Sequence, residues 1–115
     1  MSVSVRGPLF DDCDPKLVVE FQKFHARNPQ VYELFRKLAW QVKRAGRKKY
    51  SAWTLINRIR WDFDIQTKGS QFKISNDFIA LYARLLVTHE TEAFKHFFKL
   101  RPMKAKRRPR QRKAA

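Results

Sequence analysis

Residues 45–67 read AGRKKYSAWTLINRIRWDFDIQT, and within them the apolar spacing changes from helical to alternating. Ala52, Leu55, Ile56 and Ile59 recur at helical intervals, and the Ser51 hydroxyl ahead of them suits an orphan amide of a first turn. At about 100° per residue, the opposite arc carries Trp53, Thr54, Asn57, Arg58, Arg60 and Trp61. Donors, cations and flat rings thus share one face with no acid among them. From Phe63 the period becomes 2. Phe63, Ile65 and Thr67 alternate with polar residues, Lys68 and Gly69 supply a turn, and Phe72 and Ile74 alternate in the same way. The pattern predicts a helix that runs directly into a short β-hairpin.

Upstream, Gly46 stands where a left-handed residue would stop a helix. The preceding apolar series Val31, Leu34, Phe35, Leu38, Ala39, Val42 and Ala45 keeps helical spacing for four turns. Asn28 and Pro29 open that helix as cap and first-turn proline, and Asp14 and Pro15 repeat the device for an earlier helix through Leu17, Val18, Phe21 and Phe24. Downstream, Asn76 is placed to cap a helix over 77 to about 89, with Phe78, Ile79, Tyr82, Leu85 and Leu86 inward. Residues 90–100 predict a short fifth helix through Phe94, Phe97 and Phe98.

The expected fold is mainly α with a short β-hairpin, a winged helix-turn-helix-like single domain over residues 14–100. Its third helix would enter a major groove while the hairpin touches the backbone. The turn over 46–50 is longer than usual for that motif, so a small helical bundle with an attached hairpin is the alternative. Residues 1–13, aperiodic and containing Gly7 and Pro8, predict a flexible arm whose Leu9 and Phe10 cover part of the core. Residues 101–115, RPMKAKRRPRQRKAA, have almost nothing to bury and predict a disordered polybasic tail.

The net charge of +16 is unevenly placed. Residues 1–33 hold four basic and five acidic side chains, whereas residues 34–61 hold nine Lys or Arg and no acid, and residues 101–115 eight and none. Clustered cations with a pI near 10.7 are the footprint of a polyanion binder. Nucleic acid is the expected partner, double-stranded DNA favoured over RNA, in a regulatory or architectural role. Asn57 and Arg58, with Trp53 and Arg60, form the expected reading surface, because Asn and Arg each make two bonds to a base edge. Arg44, Arg47, Lys48 and Lys49 before the helix, and Lys68 in the hairpin turn, suit phosphate. Lys104, Lys106, Arg107, Arg108, Arg110, Arg112 and Lys113 of the tail can thread along the backbone in the same way.

The segments AGRKKYSA (45–52), INRIRWDFDIQT (56–67), FKISNDFIALYARLL (72–86) and FKHFFKLR (94–101) resemble a family of small proteins encoded by tailed bacteriophages and prophages. The similarity covers about residues 24–101, with Gly-Arg-Lys, Ile-Arg-Trp, Phe-Lys-Ile and Tyr-Ala-Arg in the same order. It implies a phage-related origin and a bacterial cytoplasm, and lends no activity and no site residues. Lys95 and Lys99 depart from the more acidic close of that family.

A second class of function is a small phage protein that binds and modulates a host enzyme through its basic and aromatic face, with Trp40, Tyr50 and Trp53 as anchors. Trp40 is expected to pack under the first helix and Trp61 to be buried, while Trp53 fits either burial or contact. Catalysis and cofactors are not expected. His25, His89 and His96 lack metal-site spacing, Asp62 and Asp64 would share the outer face of a strand, and the three glycines form no phosphate loop. Cys13 is a lone thiol, which precludes an internal disulfide. The apolar runs are too short to span a membrane and the start lacks an uninterrupted apolar leader, which points to a cytoplasm.

Overall fold

The computed structural model describes residues 5–11, 13–67 and 73–100. Five helices run α1 Pro15–Arg27, α2 Pro29–Arg44, α3 Ala52–Thr67, α4 Asp77–His89 and α5 Thr91–Phe94. Among the described residues there is no strand.

The fold is organised around α4. Its residues 81–87 are all buried, and α1, α2, α3, α5 and the 3-10 turn Pro8–Phe10 all contact it. A helix apolar around most of its circumference has to lie inside, and Leu81, Tyr82, Leu85 and Leu86 are all buried, with Arg84 buried beside them. Phe21 of α1 meets Tyr82 edge-on at 4.7 Å, and Phe35 of α2 lies 5.8 Å from the same ring. Burying each such aromatic contributes about 2–3 kcal/mol, so this ring cluster is a large share of what holds α1 and α2 to the centre.

Local signals set most boundaries. The Asp14 side chain accepts from the Lys16 amide at 3.0 Å, and the Ser51 hydroxyl accepts from the Thr54 amide at 3.2 Å. At the end of α2, Gly46 adopts φ 102°, its amide bonds to the Lys43 carbonyl and that of Arg47 to the Val42 carbonyl. These two bonds form a Schellman stop, which a residue with a Cβ would strain. Two expected caps are not made by those side chains. Asn28 donates to the Phe24 carbonyl of α1 instead, and Ser75, one residue ahead of Asn76, accepts from the Asp77 amide.

The hairpin is a correction. Residues 63–67, expected as its first strand, continue α3, and residues 73–75 of its return are irregular. Neither a winged helix nor a bundle with an attached hairpin describes the chain; it is a helical bundle. The physical reason lies in a longer period. Phe63 falls four residues after Ile59, extends the stripe of Leu55, Ile56 and Ile59, and packs against the core. No glycine or proline interrupts residues 47–68, and extending a formed helix fixes one more residue for each bond gained. The Ile74 carbonyl, which a ladder would have used, accepts from Arg60 at 2.5 Å.

One further expectation shifts. The fifth helix ends at Phe94, after which turns carry Phe97 and Phe98 inward. His96 sits there at φ 70°, a left-handed conformation that costs a non-glycine residue about 1–2 kcal/mol. The stretch read as an N-terminal arm is docked as far as it is described. Val5, Phe10 and Cys13 are buried, and Gln22 donates to the Val5 carbonyl at 3.2 Å. Arg84, buried in α4, reaches the Leu9 carbonyl at 3.1 Å.

Candidate nucleic-acid interface

The corner between α2 and α3 gathers the basic run. Arg44, Arg47, Lys48 and Lys49 are all exposed. Two guanidinium groups lie over rings, Arg44 at 5.4 Å from the Trp40 centroid and Arg47 at 5.9 Å from that of Tyr50, which gives each cation an aromatic support. Among the described residues the ion pairs join Arg36 to Glu90 and Arg58 to Asp62, so no carboxylate neutralises the four corner cations. The corner is also fixed. The Schellman stop ends α2, the Tyr50 amide bonds to the Phe97 carbonyl at 3.0 Å, and Ser51 starts α3.

Past the corner, the face expected to read bases divides. Trp53 is 61% exposed. Arg58 is exposed and pairs with Asp62 at 3.5 Å, one turn on. Asn57 and Arg60, by contrast, turn their polar groups to the protein. Asn57 donates to the Trp53 carbonyl at 2.8 Å and accepts from Arg60 at 3.2 Å, while Arg60 also donates to Asn76 Oδ1 at 2.7 Å and to the Ile74 carbonyl. Arg60 therefore fastens α3 to the segment that starts α4. Lys68 and the tail cations Lys104, Lys106, Arg107, Arg108, Arg110, Arg112 and Lys113 lie outside the described residues.

The tryptophans also sort differently from expectation. Trp40 is half-buried, but it packs edge-on against Phe94 at 5.1 Å and donates its indole N–H to Glu90 at 3.1 Å. Trp61 is 63% exposed, and residues 63–67, expected as a strand of the hairpin that would cover it, continue α3 instead. Of the three anchors expected for a protein partner, only Trp53 offers an open ring.

A groove of about 840 Å³ opens beside Trp53. Buried Ile79, Ala83 and Phe97 line its depth; exposed Lys49, His96 and Lys99 line its rim with Trp53. No acid lines it. The sequence reading missed His96 and Lys99 as neighbours of Trp53, because that closeness depends on the contact between Tyr50 and Phe97. The one local signal was in FKHFFKL, where Phe94, Phe97 and Phe98 are buried and Lys95, His96 and Lys99 exposed.

Among the described residues no group of three or more His, Cys, Asp or Glu side chains could hold a metal, and no helix is long and apolar enough to cross a membrane. No family model, curated protein or solved structure matches the chain.

Proposed function

We propose that the protein binds nucleic acid, DNA in the first place, without catalysing a reaction on it. The observation that carries this reading is the α2–α3 corner: Arg44, Arg47, Lys48 and Lys49 are exposed, fixed in place by a stopped and a capped helix, and unneutralised by any described carboxylate. Such a surface gains by releasing counterions from phosphates. The grip is on the backbone. Asn57 and Arg60 are occupied by internal bonds, which favours an architectural role over recognition of a particular site. The resemblance to tailed-phage proteins supports a phage-related element in a bacterial cytoplasm as the setting.

The test is titration of arbitrary duplex DNA with the full chain at about 50 and 200 mM salt. Binding in the micromolar range is expected, weakening steeply as salt rises. The combined variant Arg44→Ala, Arg47→Ala, Lys48→Ala and Lys49→Ala should flatten that dependence, each lost phosphate contact removing about 0.9 from the slope. Absence of binding to duplex and single strand alike at the lower salt, or a variant with unchanged affinity and slope, overturns the reading.

A further inference from the structure

We infer that the groove beside Trp53 takes an unpaired base, so that the protein prefers single-stranded to duplex nucleic acid. The inference rests on the nucleic-acid reading and adds the form of the ligand. A volume of about 840 Å³ accommodates a nucleotide, and the apolar depth at Ile79, Ala83 and Phe97 suits a flat, weakly solvated ring. Trp53, 61% exposed, offers an indole ring against which a base can stack. In a duplex both faces of each base are already covered by neighbours. Within a nucleic acid, then, only an unstacked base is free to enter the groove.

The charges agree with that occupant. Lys49 and Lys99 both line the groove, and both are exposed and without a described ion pair, so the phosphates of a strand whose base enters it find cations at the rim. Lys49 also continues the corner of Arg47 and Lys48, so a strand gripped there is led to the groove. The chain's own tail follows Leu100, which lines the groove, yet its eight cations in residues 101–115 make it a poor occupant of a cationic rim. The cations at the rim favour an anionic occupant, and the exposed indole of Trp53 favours one with a flat ring. Single-stranded nucleic acid offers both at every residue.

The experiment compares two strands of equal charge, an oligothymidylate of about 12 nucleotides, within the site sizes of single-strand binding modules, and an abasic strand of the same length. The full chain should bind the first about tenfold more tightly, the lower part of the range that base–aromatic stacking supports. In Trp53→Ala the ratio should fall towards one, and Trp53→Phe should restore most of it; circular dichroism confirms that these exposed-site variants keep the wild-type helix content. Equal affinity of the full chain for both strands, or tighter binding to a duplex of the same length than to the oligothymidylate, overturns the inference and leaves the nucleic-acid reading standing. Failure to bind either strand or duplex overturns both. If polyglutamate binds as tightly as oligothymidylate and with the same dependence on Trp53, the groove is instead a dock for an acidic protein segment, and the inference is wrong.

Discussion

Trp40 donates its indole N–H to Glu90 Oε1 at 3.1 Å, while Arg36, one turn earlier on α2, donates Nε to the other oxygen of the same carboxylate. One residue between α4 and α5 thereby ties down two positions of α2. The Glu90 side chain is only 17% exposed, so both bonds form where water competes weakly. Glu90→Ala leaves a half-buried indole N–H without its acceptor and should cost about 1–3 kcal/mol. Glu90→Gln keeps an acceptor for the indole and should cost about half as much. Urea denaturation of the three proteins checks the order; equal stability of Glu90→Ala and wild type would refute it.

Arg60 makes three bonds, to Asn57, Ile74 and Asn76, and through them holds the α4 start against α3. Arg60→Ala should therefore destabilise by about 1–3 kcal/mol, since charged hydrogen bonds are lost and the Ile74 carbonyl loses this donor. Lysine places a point charge where a planar fork is required, so Arg60→Lys should recover little. Asn57→Ala should cost about 1 kcal/mol. None of these substitutions should alter preference among DNA sequences. A competition assay between duplexes, run beside the melts, detects the opposite outcome: a stable variant with altered preference, as base readout requires.

Tyr32 and Tyr82 are buried, and among the described residues neither hydroxyl has a hydrogen-bond partner. Burial raises both phenols well above the usual tyrosine value, and for Tyr32 the nearby Glu90 charge raises it further against a smaller lowering by Arg36. In the unfolded chain each phenol loses its proton near pH 10, while in the folded protein it keeps it. Above about pH 10 the unfolded state thus binds fewer protons, and stability falls by about 1.4 kcal/mol per pH unit for each group. Below that value the contribution is fully present. Tyr82→Phe removes an unpaired buried hydroxyl, so it should leave stability at pH 7 unchanged or slightly higher and should make the alkaline loss shallower. Thermal melts from pH 8 to about pH 11, which span the unfolded phenol titration, should show the variant diverging from wild type only at the alkaline end.

How much of this was legible varies by residue. Asp14 and Pro15 mark α1 because a cap and a first-turn proline act on their own neighbours, and the same holds for Gly46 and Ser51. Residues 63–67 were misread because five residues fit both periods, and the deciding contact of Phe63 with the core is tertiary. The cap of α4 was displaced by one residue for a related reason: the Asn76 oxygen is engaged by Arg60 from another helix. At the site, the corner cations were visible as a run without acids. The face assigned to Asn57 and Arg60 was right as helix geometry, but spacing along one helix carries no information about the segment 74–76 lying beside it. His96 and Lys99 meet Trp53 only once the chain has closed.

The tail can be separated from the folded part by its effect on binding. Removing residues 102–115 deletes seven cations, Lys104, Lys106, Arg107, Arg108, Arg110, Arg112 and Lys113, and lowers the net charge from +16 to +9. The deleted stretch holds few apolar residues, so the thermal midpoint should not change. Binding should weaken for duplex and single strand alike, because these cations meet phosphate and carry no information about bases. The salt slope should fall by about 0.9 for every tail cation that had displaced a counterion. The preference for oligothymidylate over the abasic strand should survive, since Trp53, Lys49 and Lys99 remain. Loss of that preference would place the tail in the groove, and an unchanged slope would make the tail a bystander to binding.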